Sequence, residues 1–163
     1  MIKLSVKERA CLKIFHLLSV AAWLGGQMTL ILIQSTKSQL AVPGDQYAII
    51  TSLKEIDDVI IVGGAMGCLI TGFIFSLMTP WGFFKFRWVS IKWISTVSLI
   101  LFGIFFLGPW MNEMAYLSGV EYANVMFNEN YLYAEKMSMI FGNIQFIIGV
   151  LLTIISVLKP WGK

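Results

Sequence analysis

Charge is scarce in this chain. Only 13% of its 163 residues are Asp, Glu, Lys or Arg, and 58% are hydrophobic, whereas a soluble domain carries about 25% charged residues. That shortage excludes an ordinary soluble domain and points to an integral membrane protein. Histidine occurs once, at His16, which excludes a membrane cytochrome whose two haems are each held by paired histidines. Cysteine occurs twice, at Cys11 and Cys68, too sparsely for a disulfide framework or a zinc site. Both read as small apolar packing residues. The chain has no phosphate-cradling glycine loop, no dinucleotide fingerprint, no Ser-His-Asp set and no basic domain suited to nucleic acid. No nucleic-acid partner is expected.

What the chain does have is long apolar runs. Four windows, about 11–33, 59–79, 88–109 and 138–158, reach the ~20 residues a helix needs to cross a hydrocarbon core. Only helices and closed barrels satisfy the backbone in lipid, and none of the four alternates as a barrel strand does. The expected fold is all-α, a single four-helix transmembrane bundle over residues 1–163. The first window follows basic residues as a signal peptide would, but its apolar part is longer than an h-region and no small-x-small site follows it. It is expected to be retained.

Lys3, Lys7, Arg9 and Lys13 lie before or at the start of the first window, Lys85 and Arg87 lie in the 80–87 turn, and Lys159 and Lys163 close the chain. Glu8 is the one acid on that side. The 34–58 and 110–137 connections carry the other eight acids and three lysines. The positive-inside rule predicts both termini in the cytoplasm, in a multi-pass protein of the plasma membrane, with the two longer connections as an external cap. Pro43-Gly44 marks a turn in the first of these. Trp81, Trp88, Trp110 and Trp161 fall at helix ends, as an aromatic belt places them.

The informative residues are the few polar ones at depth. His16 lies roughly one and a half turns inside the first helix and Lys92 about one turn inside the third. These helices run the same way, so the two sit at similar depth. Each has a plain reading, an imidazole bonded to a neighbouring helix and a lysine snorkelling to the headgroups. Together they read as a pair of nitrogen donors for a metal or haem iron. His16, Val20, Trp23, Gln27 and Gln34 share a stripe, as do Trp88, Lys92, Ser95, Leu99 and Gly103. Gly64, Cys68, Gly72 and Ser76 form a small-xxx-small ridge, a candidate seam for homo-oligomers and a smooth face for a macrocycle. Asn143 and Gln145 read as interhelical hydrogen bonds. Met66 and Met139 read as filler.

"HLLSVAAWLGG", "RWVSIKWISTVSLIL" and "NIQFIIGVLLTIISVLKPWGK" resemble the first, third and last helices of HemJ-type protoporphyrinogen oxidases. The first is equally similar to CopD-like copper-resistance membrane proteins. The HemJ resemblance implies haem b held by His16 and Lys92, beside Trp23, and oxidation of protoporphyrinogen IX to protoporphyrin IX. Where that family has a Leu-Pro-Arg-Leu-Phe-like segment and a further histidine, this chain has "QMTLILIQSTKSQ". A propionate-pairing arginine is missing there, and Lys13, one turn before His16, stands in for it. Three readings follow: a HemJ-like haem protein in electron transfer or porphyrinogen oxidation, a CopD-like metal or solute transporter, and a cofactor-free accessory subunit. The transporter reading is weakened by the single histidine and by methionines that do not share one depth in the sequence.

Overall fold

A computed structural model describes residues 4–40, 45–80 and 82–159. Trp81, Trp161, Lys3, Lys163 and the Pro43-Gly44 turn lie outside the described residues. Among the described residues six α-helices make up four rods: α1 (Val6–Leu40), α2 (Asp45–Glu55) running through a π turn (Ile56–Ile61) into α3 (Val62–Met78), α4 (Arg87–Phe102) running through a second π turn (Gly103–Leu107) into α5 (Gly108–Glu121), and α6 (Glu129–Leu158). Each rod is long and apolar enough to span a membrane. The protein is an all-α, multi-pass membrane protein.

Local chemistry sets the rod ends. Ser5 Oγ accepts from Glu8 N–H and Glu8 Oε2 accepts from Ser5 N–H at 2.7 Å, a capping box that starts α1. Asn128 Oδ1 accepts from the N–H groups of Asn130 (2.9 Å) and Tyr131 (3.1 Å) and starts α6. Thr79 is extended (φ −124°, ψ 162°), as the residue before a proline must be, and this ends α3. Gly82 then turns the chain at φ +62°, a left-handed conformation that a side chain would strain.

The rods are longer than the apolar windows and take in most of the 34–58 and 110–137 connections. α1, at 35 residues, is about 52 Å long, well beyond a ~30 Å hydrocarbon core. Most of the supposed cap is helix. It has a core of its own, in which Ile50, Leu53, Met114, Val125, Tyr131 and Ala134 are at most 1% exposed.

Nearer the chain termini, α1 and α3 pack closely through glycine. A Cβ on Gly64 would lie 2.5 Å from Trp23 N and 2.9 Å from Ser19 O, and one on Gly67 would strike the Ser19 hydroxyl. At Gly64 the small-residue ridge therefore packs against α1 of the same chain, whereas a Cβ on Gly72 would meet nothing within 4 Å. α3 and α4 are tied near their shared turn, where Trp93 Nε1 donates to Ser76 Oγ at 2.6 Å. Phe73 and Phe83 pack against the Trp93 ring there.

Candidate functional site

Between the rods, at the end where the described chain starts and stops, lies a cavity of about 780 Å³. His16, Lys92, Trp23 and Lys13, the four residues singled out from sequence, all line it. His16 and Lys92 are half-buried and line the same cavity. Cys68, Gly72 and Ser76 from the α3 ridge line it as well, with Trp88 and Leu99 from α4. Nothing lies within 4 Å of a Cβ built on Gly72, so this stretch of wall is bare.

The His16 ring is held in one pose. Its Nδ1 lies 2.7 Å from Thr71 Oγ1, and its edge meets Phe75 in a T-shaped contact (5.9 Å, 86°). Thr71 Oγ1 donates its only proton to the Gly67 carbonyl at 2.5 Å, so toward His16 it accepts. Nδ1 therefore carries the imidazole proton, and Nε2 keeps its lone pair with no partner among the described residues. A histidine tethered in this way through one nitrogen is presented as a ligand through the other. Lys92 has no hydrogen bond or ion pair among the described residues.

Arg9, Lys13 and Lys159 rim the cavity. Arg9 Nε donates to the Leu4 carbonyl at 3.1 Å, and Lys159 Nζ lies 5.9 Å from the Trp88 ring centroid. Sequence reasoning missed Arg9 although its signal was present: Arg9, Lys13 and His16 fall at i, i+4 and i+7, on one face of α1. It missed Thr71 because a threonine in a span ordinarily back-bonds its own helix. Here one hydroxyl does that and orients His16 too.

A second, smaller cavity of about 190 Å³ opens on the other side of Trp23 and Leu99, which line both. Gln27 and Gln34, from the α1 stripe, face this one. Gln145 lines it with its Oε1 unpartnered, and Asn143 Nδ2 donates to Met139 O of its own helix at 2.7 Å. Among the described residues neither makes the interhelical bond expected of it. Met66, Met111 and Met139, three of the nine methionines, line this cavity.

Among the described residues no three His, Cys, Asp or Glu side chains gather where they could hold a metal ion. Compared with family models, curated proteins and solved structures, the chain matches none.

Proposed function

We propose that the protein is a haem b protein of the plasma membrane, HemJ-like in type, acting in electron transfer or in porphyrinogen oxidation, with both termini cytoplasmic. The observation that carries this reading is His16, pinned through Nδ1 to Thr71 and left with a free Nε2 on the larger cavity. A bare ion would find too few ligands at His16 and Lys92. Iron already held by a porphyrin needs only axial donors. The residues present fit that group. The cavity volume falls within the ~300–1,000 Å³ of small-molecule sites, Gly72 leaves a flat wall, and the Arg9–Lys13–Lys159 rim suits two carboxylates.

Haem bound here would supply one-electron redox chemistry, its potential tuned by axial ligand and burial. The chain's own residues hold and screen it. His16 would hold the iron through Nε2, with its tautomer set by Thr71. Lys92 offers a second nitrogen or a nearby base. Trp23 and Leu99 close the cavity toward the second one. With both residues holding the iron, the group would serve electron transfer in preference to oxygen chemistry. The test is the absorption spectrum of protein produced with ample haem and purified in detergent. A Soret band that His16→Ala abolishes supports the reading. A colourless wild type, or a Soret band unchanged in His16→Ala, overturns it.

A further inference from the structure

The smaller cavity is built differently from the larger. Polar side chains reach it in two tiers. Gln34 of α1 and Ser138 of α6 are seven residues, about two turns, from Gln27 and Gln145 on their own helices. α1 and α6 run in opposite directions, so the pairs match in level, with Gln27 and Gln145 the deeper. All four side chains are at most 8% exposed. Asp57 joins them from the π turn Ile56–Ile61, half-buried, its carboxylate without a hydrogen bond or ion pair among the described residues. Its neighbour Asp58 also lines the cavity but is paired with Lys54 at 2.5 Å, so Asp57 is the carboxylate there with no ion pair among the described residues.

Three buried polar atoms on the lining residues have no partner among the described residues: Ser138 Oγ, Gln145 Oε1 and Trp23 Nε1. Buried polar atoms are nearly always satisfied, and orphans converging on one space point to something that fills it. Both π turns border this space, through Asp57 and Ile61 on one side and Gly103 and Leu107 on the other. Single π turns recur at functional sites because they widen the helix and shift its side chains.

We infer that the smaller cavity binds a hydrated monovalent metal cation, with the Asp57 carboxylate as its charged ligand and side-chain oxygens of Gln27, Gln34, Ser138 and Gln145 around it. One unpaired carboxylate balances one positive charge. A calcium ion would call for more carboxylates among its six to eight oxygens. An anion is repelled by Asp57. An organic ligand needs more than the available volume, since small-molecule sites start near ~300 Å³. The space equals about six waters at ~30 Å³ each, which suits an alkali ion that keeps part of its hydration. Trp23 Nε1 then donates to one of those waters. The thioethers of Met66, Met111 and Met139 are soft donors for a copper-like ion. Met66 is 42% exposed and Met111 is packed in the neighbouring hydrophobic cluster, so the oxygens dominate.

The experiment uses the full chain in detergent, in NaCl or KCl against choline chloride at constant ionic strength. Two readouts are followed: the thermal midpoint, and labelling of Asp57 by an apolar carbodiimide, mapped by peptide mass. The expected result is a saturable rise in midpoint with an alkali cation, and labelling slowed about tenfold at ~10 times the dissociation constant. Asp57→Asn should lose the rise, and Glu113→Gln, at an exposed acid that does not line the cavity, should keep it. Labelling is read on the unaltered chain, so it decides the matter even when Asp57→Asn does not fold. Labelling that follows pH alone, with sodium, potassium and choline equivalent, would assign the cavity to protons and water and overturn the inference. A response to silver ion with none to sodium or potassium would assign it to the thioethers and overturn it equally.

Discussion

At the scale of the residue, the larger cavity turns on one hydroxyl. Thr71 donates to the Gly67 carbonyl and accepts from His16 Nδ1, so it fixes both the tautomer and the pose of the imidazole. Thr71→Val keeps the shape and removes the acceptor. Haem affinity should then fall about 10–100-fold, the usual cost of losing a ligand's supporting partner, while Thr71→Ser stays near wild type. Haem titration followed at the Soret band measures both, and equal affinity for Val and Ser would deny Thr71 an orienting role. Lys92 invites a different comparison. Lys92→Ala should open the sixth position, shifting the spectrum and admitting carbon monoxide to the reduced iron. Lys92→Arg should not restore the wild-type spectrum, because a guanidinium stays protonated and has no lone pair to give. Restoration by arginine would reduce Lys92 to a charge at the rim. His16 was legible in the sequence because an ionisable ring inside an apolar run is costly and therefore conspicuous. Thr71 was not, since nothing in its own helix distinguishes it from a threonine that merely back-bonds.

At the scale of the element, α1 and α3 meet through glycine, and adjacent positions should respond in opposite ways. A Cβ on Gly64 would strike the backbone of Trp23 and Ser19, which cannot swing aside, whereas one on Gly63 meets nothing within 4 Å. Gly64→Ala should therefore destabilise by about 1–3 kcal/mol through overpacking. Gly63→Ala should be neutral or stabilise by up to about 1 kcal/mol through helix propensity. Far-UV circular dichroism during unfolding in detergent orders the two, and equal behaviour would mean the helices meet elsewhere. The stripe through Val20, Trp23 and Gln27 was readable because buried positions recur at helical spacing. The helical cap was readable in principle: Ile50 and Leu53, Met111 and Met114, and Tyr131 and Ala134 are each three apart, and all are buried. Their polar neighbours lowered the average hydropathy and hid the pattern in any window tuned to lipid. The π turns had no sequence signal beyond Pro109, which follows the second and has no N–H to continue the ladder.

At the scale of the whole molecule, the two cavities lie in series along the bundle with Trp23 and Leu99 between them, and charge divides the same way. Lys7, Arg9, Lys13, Lys85 and Arg87 gather at the end that holds the larger cavity, while Asp45, Glu55, Glu113, Glu121, Glu129 and Glu135 lie toward the other. Basic residues close to short turns resist translocation and acids contribute little, so the larger cavity should face the cytoplasm and the smaller one the outside. The protein lends itself to a direct check. With Cys11 and Cys68 replaced by serine, a single cysteine at Ser5, ahead of α1, or at Asn130, in the first turn of α6 and exposed, reports one end each. In intact cells a membrane-impermeant maleimide should label Asn130→Cys and spare Ser5→Cys until the membrane is broken. The reverse pattern would turn the molecule over, placing His16 and Lys92 near the outer face. Labelling of both would mean mixed insertion. In the expected orientation a porphyrin with its carboxylates at the Arg9–Lys13–Lys159 rim enters from the side where the basic residues are, and cations reach Asp57 from the opposite solution without crossing the Trp23–Leu99 layer.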